Sequence, residues 1–257
     1  MFHFSAQAQD SKVIYSTPAT TLKKPEPEKD SKRQGLLFIL QGGYGAPGGD
    51  MRTRFGSHGE AGAGVFWKTR GNWLFGVDGS YIFGEKVKEN PVSALGGSSQ
   101  VIFNAAGSVA TLAYHERGFR TPVAKVGKLF HLNTGRNTGD LNGIVVSAGI
   151  GFFQHYIDIQ DQGHGFLQVS GEYMKGYDRM RNGPCITQSI GWMASSNSAL
   201  ANFMLSFEFM EAFTTSNRYN FKNNVRDTGR HYDYTYGLRL SWAIPALNNG
   251  ARDYEYY

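Results

Sequence analysis

The sequence predicts an all-β protein: a closed antiparallel up-and-down transmembrane β-barrel of eight strands, with room for ten. Three observations predict it: period-two alternation runs unusually far, connections alternate between short and long, and aromatic residues gather at strand ends. Between Ala199 and Phe213 the small or apolar residues Ala199, Ala201, Phe203, Leu205, Phe207, Phe209 and Phe213 alternate with Asn202, Ser206 and Glu208 among others. Between Tyr232 and Ile244 the residues Tyr232, Tyr234, Tyr236, Leu238, Leu240, Trp242 and Ile244 alternate with Asp233, Thr235, Gly237, Arg239, Ser241 and Ala243. Period two at this length means a long strand with one apolar and one polar face. Soluble strands are usually about five or six residues, whereas a membrane-spanning strand needs about 9–11.

The elements follow in order. The first strand is Leu36–Ala46, with Leu36, Phe38, Leu40 and Tyr44 on one face. The second is Gly59–Lys68, where Ala61, Ala63, Val65 and Trp67 alternate with Glu60, Gly62, Gly64 and Lys68. A tight turn, Thr69-Arg70-Gly71-Asn72, leads to the third, Trp73–Glu85. Its Trp73, Phe75, Val77, Tyr81 and Phe83 face lipid, and Asp78 and Ser80 face inward. The fourth, Gly118–Leu132, is the weakest: Pro122, Val123, Lys125 and Lys128 do not sort between two faces, and proline is unwelcome inside a ladder. The fifth, Gly143–Ile159, sends Ile144, Val146, Ala148, Ile150, Phe152 and Tyr156 outward and Ser147, Gly149, Gly151 and His155 inward. The sixth, Pro184–Ser195, has Ile186, Ile190 and Trp192 outward, with Gln188 breaking the pattern. The alternating segments described above are the seventh and eighth.

The connections 69–72, 133–142 and 196–198 are short or rich in Gly and Asn, whereas 47–58, 86–117, 160–183 and 214–231 are long. Outer-membrane barrels have short periplasmic turns and longer extracellular loops, which places both termini in the periplasm. Trp67, Trp73, Trp192 and Trp242 fall near the short-turn ends, and Tyr44, Tyr81, Tyr156, Tyr232 and Tyr234 near the long-loop ends, as two interfacial girdles would. A soluble lipocalin-like binder is the rival architecture; it would turn the apolar face inward around a ligand.

Composition agrees with a barrel. The chain has 257 residues, 33 of them glycine, and a net charge of +5. No stretch approaches 18 consecutive apolar residues, so no transmembrane helix is predicted. The basic residues are scattered, which argues against nucleic acid as a partner. Cys185 reads as a small buried hydrophobe, and no Cys/His cluster has metal-ligand spacing, so neither metal nor cofactor is expected. At the N-terminus, Ala6-Gln7-Ala8 fits a signal-cleavage site, so residues 1–8 read as the remnant of a secretory signal. Residues 9–34 are a polar leader, rich in charge and proline around Lys23 to Asp30, that reads as a periplasmic tether or a disordered tail. The barrel then occupies 35–245 and a tail 246–257.

Eight strands leave a lumen just wide enough for side chains. Glu60, Lys68, Asp78, His155, Glu208, Asp233 and Arg239 point there. Buried charges have to be paired. Glu60, Asp78, Glu208 and Arg239 are therefore expected to form a closed charge network, with a gated ion path as the alternative.

With the barrel drawn, residues 35–245 resemble the small outer-membrane β-barrel proteins of Bacteroidota-type bacteria. The resemblance rests on the strand–loop layout and on the run Gly171-Glu172-Tyr173-Met174-Lys175-Gly176-Tyr177-Asp178-Arg179, followed by Asn182-Gly183. It implies structural proteins, adhesins or subunits of surface machines such as the type IX secretion and gliding apparatus. It implies roles for no particular residues. The chain departs from the group's pattern in continuing past its last strand to Tyr257.

Two loops carry the candidate contact residues: Tyr173, Tyr177 and Arg179 in one, and Arg218, Tyr219 and Phe221 in the other. These types are enriched at binding hot spots, and arginine suits lipopolysaccharide phosphates. The competing reading is a loop that caps its own barrel. The partners expected are the lipid bilayer, lipopolysaccharide and other outer-membrane or periplasmic proteins. Some barrels of this size modify lipid A. His58, His115, His155, His164 and His231 with Ser57, Ser170 and Glu172 could supply a hydrolase, but no nucleophile-elbow motif is present and no catalytic residue is assigned. A non-enzymatic structural or accessory subunit is the reading expected from the sequence.

Overall fold

The computed structural model describes residues 34–95, 97–98, 100–103, 109–132, 141–162, 166, 169, 171–195, 202–216, 218–221 and 224–248. The expected signal remnant, nearly all of the leader, His164, Ser170, the turn 196–198 and the last nine residues lie outside these.

Eight long strands form the barrel: β1 Gln34–Gly49, β2 His58–Lys68, β3 Trp73–Gly84, β4 Val109–His131, β5 Gly143–Asp161, β6 Arg181–Ser195, β7 Asn202–Thr215 and β8 Arg230–Asn248. Each pairs antiparallel with its sequence neighbour. Pairing of β1 with β8 closes the ring. Two short segments, Gly97–Ser98 and Val101–Phe103, extend the sheet beside the start of β4 without crossing the barrel. Among the described residues, the number of crossing strands is therefore eight.

The stagger of the ring follows from the pairings. Leu36 leads through Trp67, Phe75, Val126, Ala148, Gln188, Phe209 and Tyr236 back to β1 at Ala46, ten residues further on. With about 3.3 Å per residue and about 4.8 Å between strands, that stagger gives a tilt of about 40°. Each residue then advances about 2.5 Å along the axis, so about ten residues cross an apolar band of about 25 Å. The 23 residues of β4 and 19 of β5 are about twice this. The excess stands at the long-loop end, where the outward positions turn polar and Arg117 Nε lies 3.9 Å from Asp158 Oδ2.

The outer face is as the alternation predicts. Phe38, Leu40, Val77, Ile190, Phe207 and Leu240 are 44–56% exposed in an apolar belt. Trp67, Trp73 and Trp192 are exposed near its short-turn margin, and Tyr44, Tyr81 and Tyr232 near the other. Lys128 lies 4.7 Å from the Trp73 ring and donates to Gly71 O, which explains a lysine on this face. Gln188 does face outward, opposite Ala148 and Phe209.

Three expectations are corrected. First, the fourth strand begins at Val109, not Gly118, so the second long connection is shorter than 86–117. Ala110, Leu112, Tyr114, Glu116, Gly118 and Arg120 face inward at even positions, then Val123, Lys125, Gly127 and Leu129 at odd ones. The switch is a β-bulge: Thr121 and Pro122 together oppose Gly79 on β3 and Phe152 on β5. A single period therefore could not fit the segment. Second, the lumen is not uniformly polar. Leu37, Leu74, Leu129, Leu141, Val145 and Met193 fill its short-turn end, and a larger apolar cluster including Phe55, Ile82, Phe153, Ile157 and Met210 fills the other. Cys185 is a buried member of the latter. Third, the last strand runs past Ile244 to Asn248, so residues 246–248 belong to the sheet rather than to a tail.

Phe207 stands at the middle of the belt, 45% exposed between Ile190 and Leu238. Phe207→Arg places a charge there at about 2–4 kcal/mol. The expected outcome is loss of the heat-modifiable folded band and of membrane-inserted protein. Wild-type levels would contradict the assignment of this face to lipid.

Candidate functional site

Charge and loop contacts concentrate in two layers. The deeper layer lies between the two apolar fillings. Glu60 Oε1 accepts from Arg239 Nε at 2.9 Å and Nη2 at 2.7 Å. Glu60 Oε2 accepts from Arg120 Nη2 at 3.1 Å. Glu208 accepts from Arg239 Nη1 at 2.7 Å, from Lys125 Nζ at 2.9 Å and from Arg120 Nη1. Asp78 Oδ2 accepts from Lys125 Nζ at 2.7 Å. Three carboxylates thus meet three cations, and the net charge is zero. The groups come from β2, β3 and β4 on one wall and from β7 and β8 on the opposite wall. Gly43 makes room, since a Cβ there would lie 2.8 Å from Glu60 Oε1.

Of the seven residues expected to point into the lumen, the four expected to form its charge network, Glu60, Asp78, Glu208 and Arg239, meet in this cluster. Arg120 and Lys125 were not expected. They are five positions apart, which in a regular strand puts them on opposite faces. The Thr121–Pro122 bulge puts both inside. The failure of the fourth strand to sort was the signal that could have found them. Lys68, His155 and Asp233 are also buried, but outside the cluster. His155 Nε2 lies 3.0 Å from Asp233 Oδ2, which also accepts from Thr214 at 2.5 Å.

The upper layer is the mouth, where all four long connections are tied together. The first connection contains a short helix, α1 Met51–Arg54; its Met51 and the following Phe55 plug the lumen. Gly56 N donates to Lys86 O at 2.7 Å and Lys88 N to Arg54 O at 2.8 Å, joining the first connection to the second. Arg54 Nη2 donates to Arg179 O at 2.7 Å, joining it to the third. Ile157 N donates to Asp178 O at 2.8 Å, which hangs the third connection on β5. Arg218 Nη1 lies 3.0 Å from Asp178 Oδ2, and Phe221 N donates to Gly176 O at 3.2 Å, joining the fourth to the third. Gly176 permits this approach, since a Cβ would collide with the Phe221 ring.

The mouth gathers most of the candidate contact residues. Tyr177 packs edge-on against Phe221 at 5.3 Å, and Phe221 against Tyr219 at 5.9 Å. Arg179 Nε lies 3.1 Å from Glu89 Oε1. Tyr177 is buried at 7% exposure and belongs to the apolar plug, so it presents no surface. Tyr173, Tyr219 and Phe221 are exposed. Arg54, Glu89, Asp178 and Arg181 belong to the same layer. Arg54, Glu89 and Arg181 are not singled out by the sequence, because no periodicity links residues from separate segments.

Three of the described histidines pair with carboxylates: His58 with Glu116 at 3.5 Å, His155 with Asp233, and His231 with Asp227 at 2.9 Å. No hydrogen bond joins a histidine to a serine among the described residues. Among them, no group of three His, Cys, Asp or Glu residues is placed to hold a metal.

No protein-family model matches the sequence, and no curated protein is significantly similar to it. Similar solved structures include Neisserial surface protein A, at 6% identity and TM-score 0.37, covering 81% of this chain and 97% of that one. Another is Ail, the attachment invasion locus protein of Yersinia pestis, in complex with the heparin analogue sucrose octasulfate. It shows 6% identity and TM-score 0.38, covering 82% and 99%. The outer membrane protein OprG from Pseudomonas aeruginosa shows 10% identity and TM-score 0.40, covering 84% and 99%.

Two outcomes follow from the layers. Glu208→Gln leaves Lys125, Arg120 and Arg239 with too little negative charge. Breaking one partner of such a buried set costs about 3–5 kcal/mol. A fall in the urea midpoint of refolded protein measures it, and Glu208→Gln/Arg239→Gln should recover part of the loss. In the mouth, burial pushes the Asp178 carboxyl up to about 6, against the opposing pull of Arg218 and the Met180 N–H. A carboxyl whose folded pKa is raised stabilises the fold below its ordinary value, 3.8, and that contribution is lost as pH rises through about 6. Amide exchange in 174–180, corrected for intrinsic rate, should therefore be slower at pH 5 than at pH 8. Asp178→Asn should flatten the difference.

Proposed function

We propose that the protein is a non-enzymatic barrel of the bacterial outer membrane, a structural or accessory subunit of a cell-surface or secretion assembly. Its short turns and both chain termini would face the periplasm, and its long connections the outside. The observation that carries this reading is the sealing of the lumen. An apolar filling, a neutral six-charge cluster and a second apolar filling succeed one another along the axis. The cavity beneath the charge cluster measures about 50 Å³, room for a few waters at most. Such a barrel supplies a rigid wall and a fixed platform rather than a passage.

The platform supports a contact role. Its loops hydrogen-bond to one another and to the strand ends, so a partner meeting Tyr173, Tyr219 and Phe221 would pay little to order them. The outer belt meets lipid, and the exposed basic residues Arg226 and Arg230 lie where lipopolysaccharide phosphates would be.

In planar bilayers the purified protein should show no stepwise conductance. Crosslinking and native purification from outer membranes should recover a stoichiometric outer-membrane or periplasmic protein. A monodisperse barrel with single-channel steps would overturn the reading.

A further inference from the structure

We propose that the mouth holds a binding site for a tetrahedral oxyanion, of the phosphate-monoester class, between the third and fourth long connections. A cavity of about 40 Å³ lies there. Lys175, Arg179, Arg181 and Arg218 line it, against two lining carboxylates, Glu89 and Asp227. Its size admits about three water-sized groups, the footprint of three phosphate oxygens with the ester oxygen pointing outward.

The guanidinium groups around it have more donors than the protein supplies acceptors. Glu89 is shared, since Arg54 Nε reaches it at 3.0 Å and Arg179 Nε at 3.1 Å. Arg179 Nη2 is buried without a hydrogen-bond partner among the described residues. The carboxylate nearest to Arg181 is Asp233, at 3.8 Å, and Asp233 is committed to His155 and Thr214. Among the described residues, Arg181 Nη1 has no hydrogen bond, and Arg218 Nη2 donates to Met180 Sδ, a weak acceptor, at 3.4 Å. Buried donors left in this way call for an acceptor from outside the chain, and several converging guanidinium forks suit phosphate oxygens.

Two further observations place the ligand. Arg179, which lines the cavity, is held at φ 48°, a left-handed conformation that costs an L-residue energy. Tyr219 lines the cavity and is 43% exposed, and its hydroxyl is fixed on Asn224 O at 2.6 Å. It offers an apolar rim to the organic part of the ester. Glu89 is the internal competitor for Arg179, which gives the site a signed test.

The experiment titrates the full chain in detergent micelles with inorganic phosphate and with glucose 6-phosphate, followed by calorimetry. Heat-modifiable migration checks the fold of each variant. Saturable binding is expected, weakened about tenfold or more by Arg218→Gln and tightened by Glu89→Gln. Competition by lipopolysaccharide in mixed micelles would assign the phosphate to a lipid headgroup, and its failure to a free phosphorylated glycan. Absence of saturable binding up to about 10 mM, or folded variants with unchanged affinity, would overturn the proposal. Neither result bears on the sealed lumen, which conductance tests separately.

Discussion

Charge enclosed away from water has to be neutralised by charge, and in this barrel the neutralising partner sits across the lumen. Asp78 and Lys125 on β3 and β4 reach Glu208 and Arg239 on β7 and β8. A sheet pairs only neighbouring strands. The six-charge cluster therefore supplies what the ladder cannot, a set of attachments along the barrel's diameter. Each attachment is strong only because the others hold the site dry, and the apolar fillings above and below keep it so. The fillings in turn require the loops to fold inward, so the shape of the mouth depends on the charges beneath it.

The bulge at Thr121–Pro122 is the local device on which this arrangement turns. It lets one strand deliver two cations, Arg120 and Lys125, to the same side although they are an odd number of residues apart. The extra residue is absorbed where Gly79 offers no side chain to the neighbouring ladder. The chain thus obtains three cations from only two strands.

The outer surface was legible in the sequence because lipid imposes one rule on nearly every outward position, Gln188 and Lys128 being among the departures. Phe203, Phe207, Leu238 and Leu240 obey it without exception. The inner surface obeys several rules in succession: Leu74 is apolar, Asp78 charged and Ile82 apolar along one strand. Alternation averages these and reports only that the inner face is mixed. The four cluster residues on regular strands were therefore found, and the two beside the bulge were not. The mouth was harder still. Arg54, Glu89 and Arg181 come from three separate segments, and nothing in their spacing announces that they meet. Residue type alone pointed to Arg179, Arg218, Tyr219 and Phe221, and it could not distinguish these from Tyr177, which the plug consumes.

The exact balance of three carboxylates against three cations has an electrical consequence. A potential across the membrane does work only on charge that moves. A cluster with no net charge, whose members are fixed to opposite walls, offers a field neither a monopole to pull nor a lever to turn. The six-charge layer of this barrel therefore gives a transmembrane potential no net charge to displace.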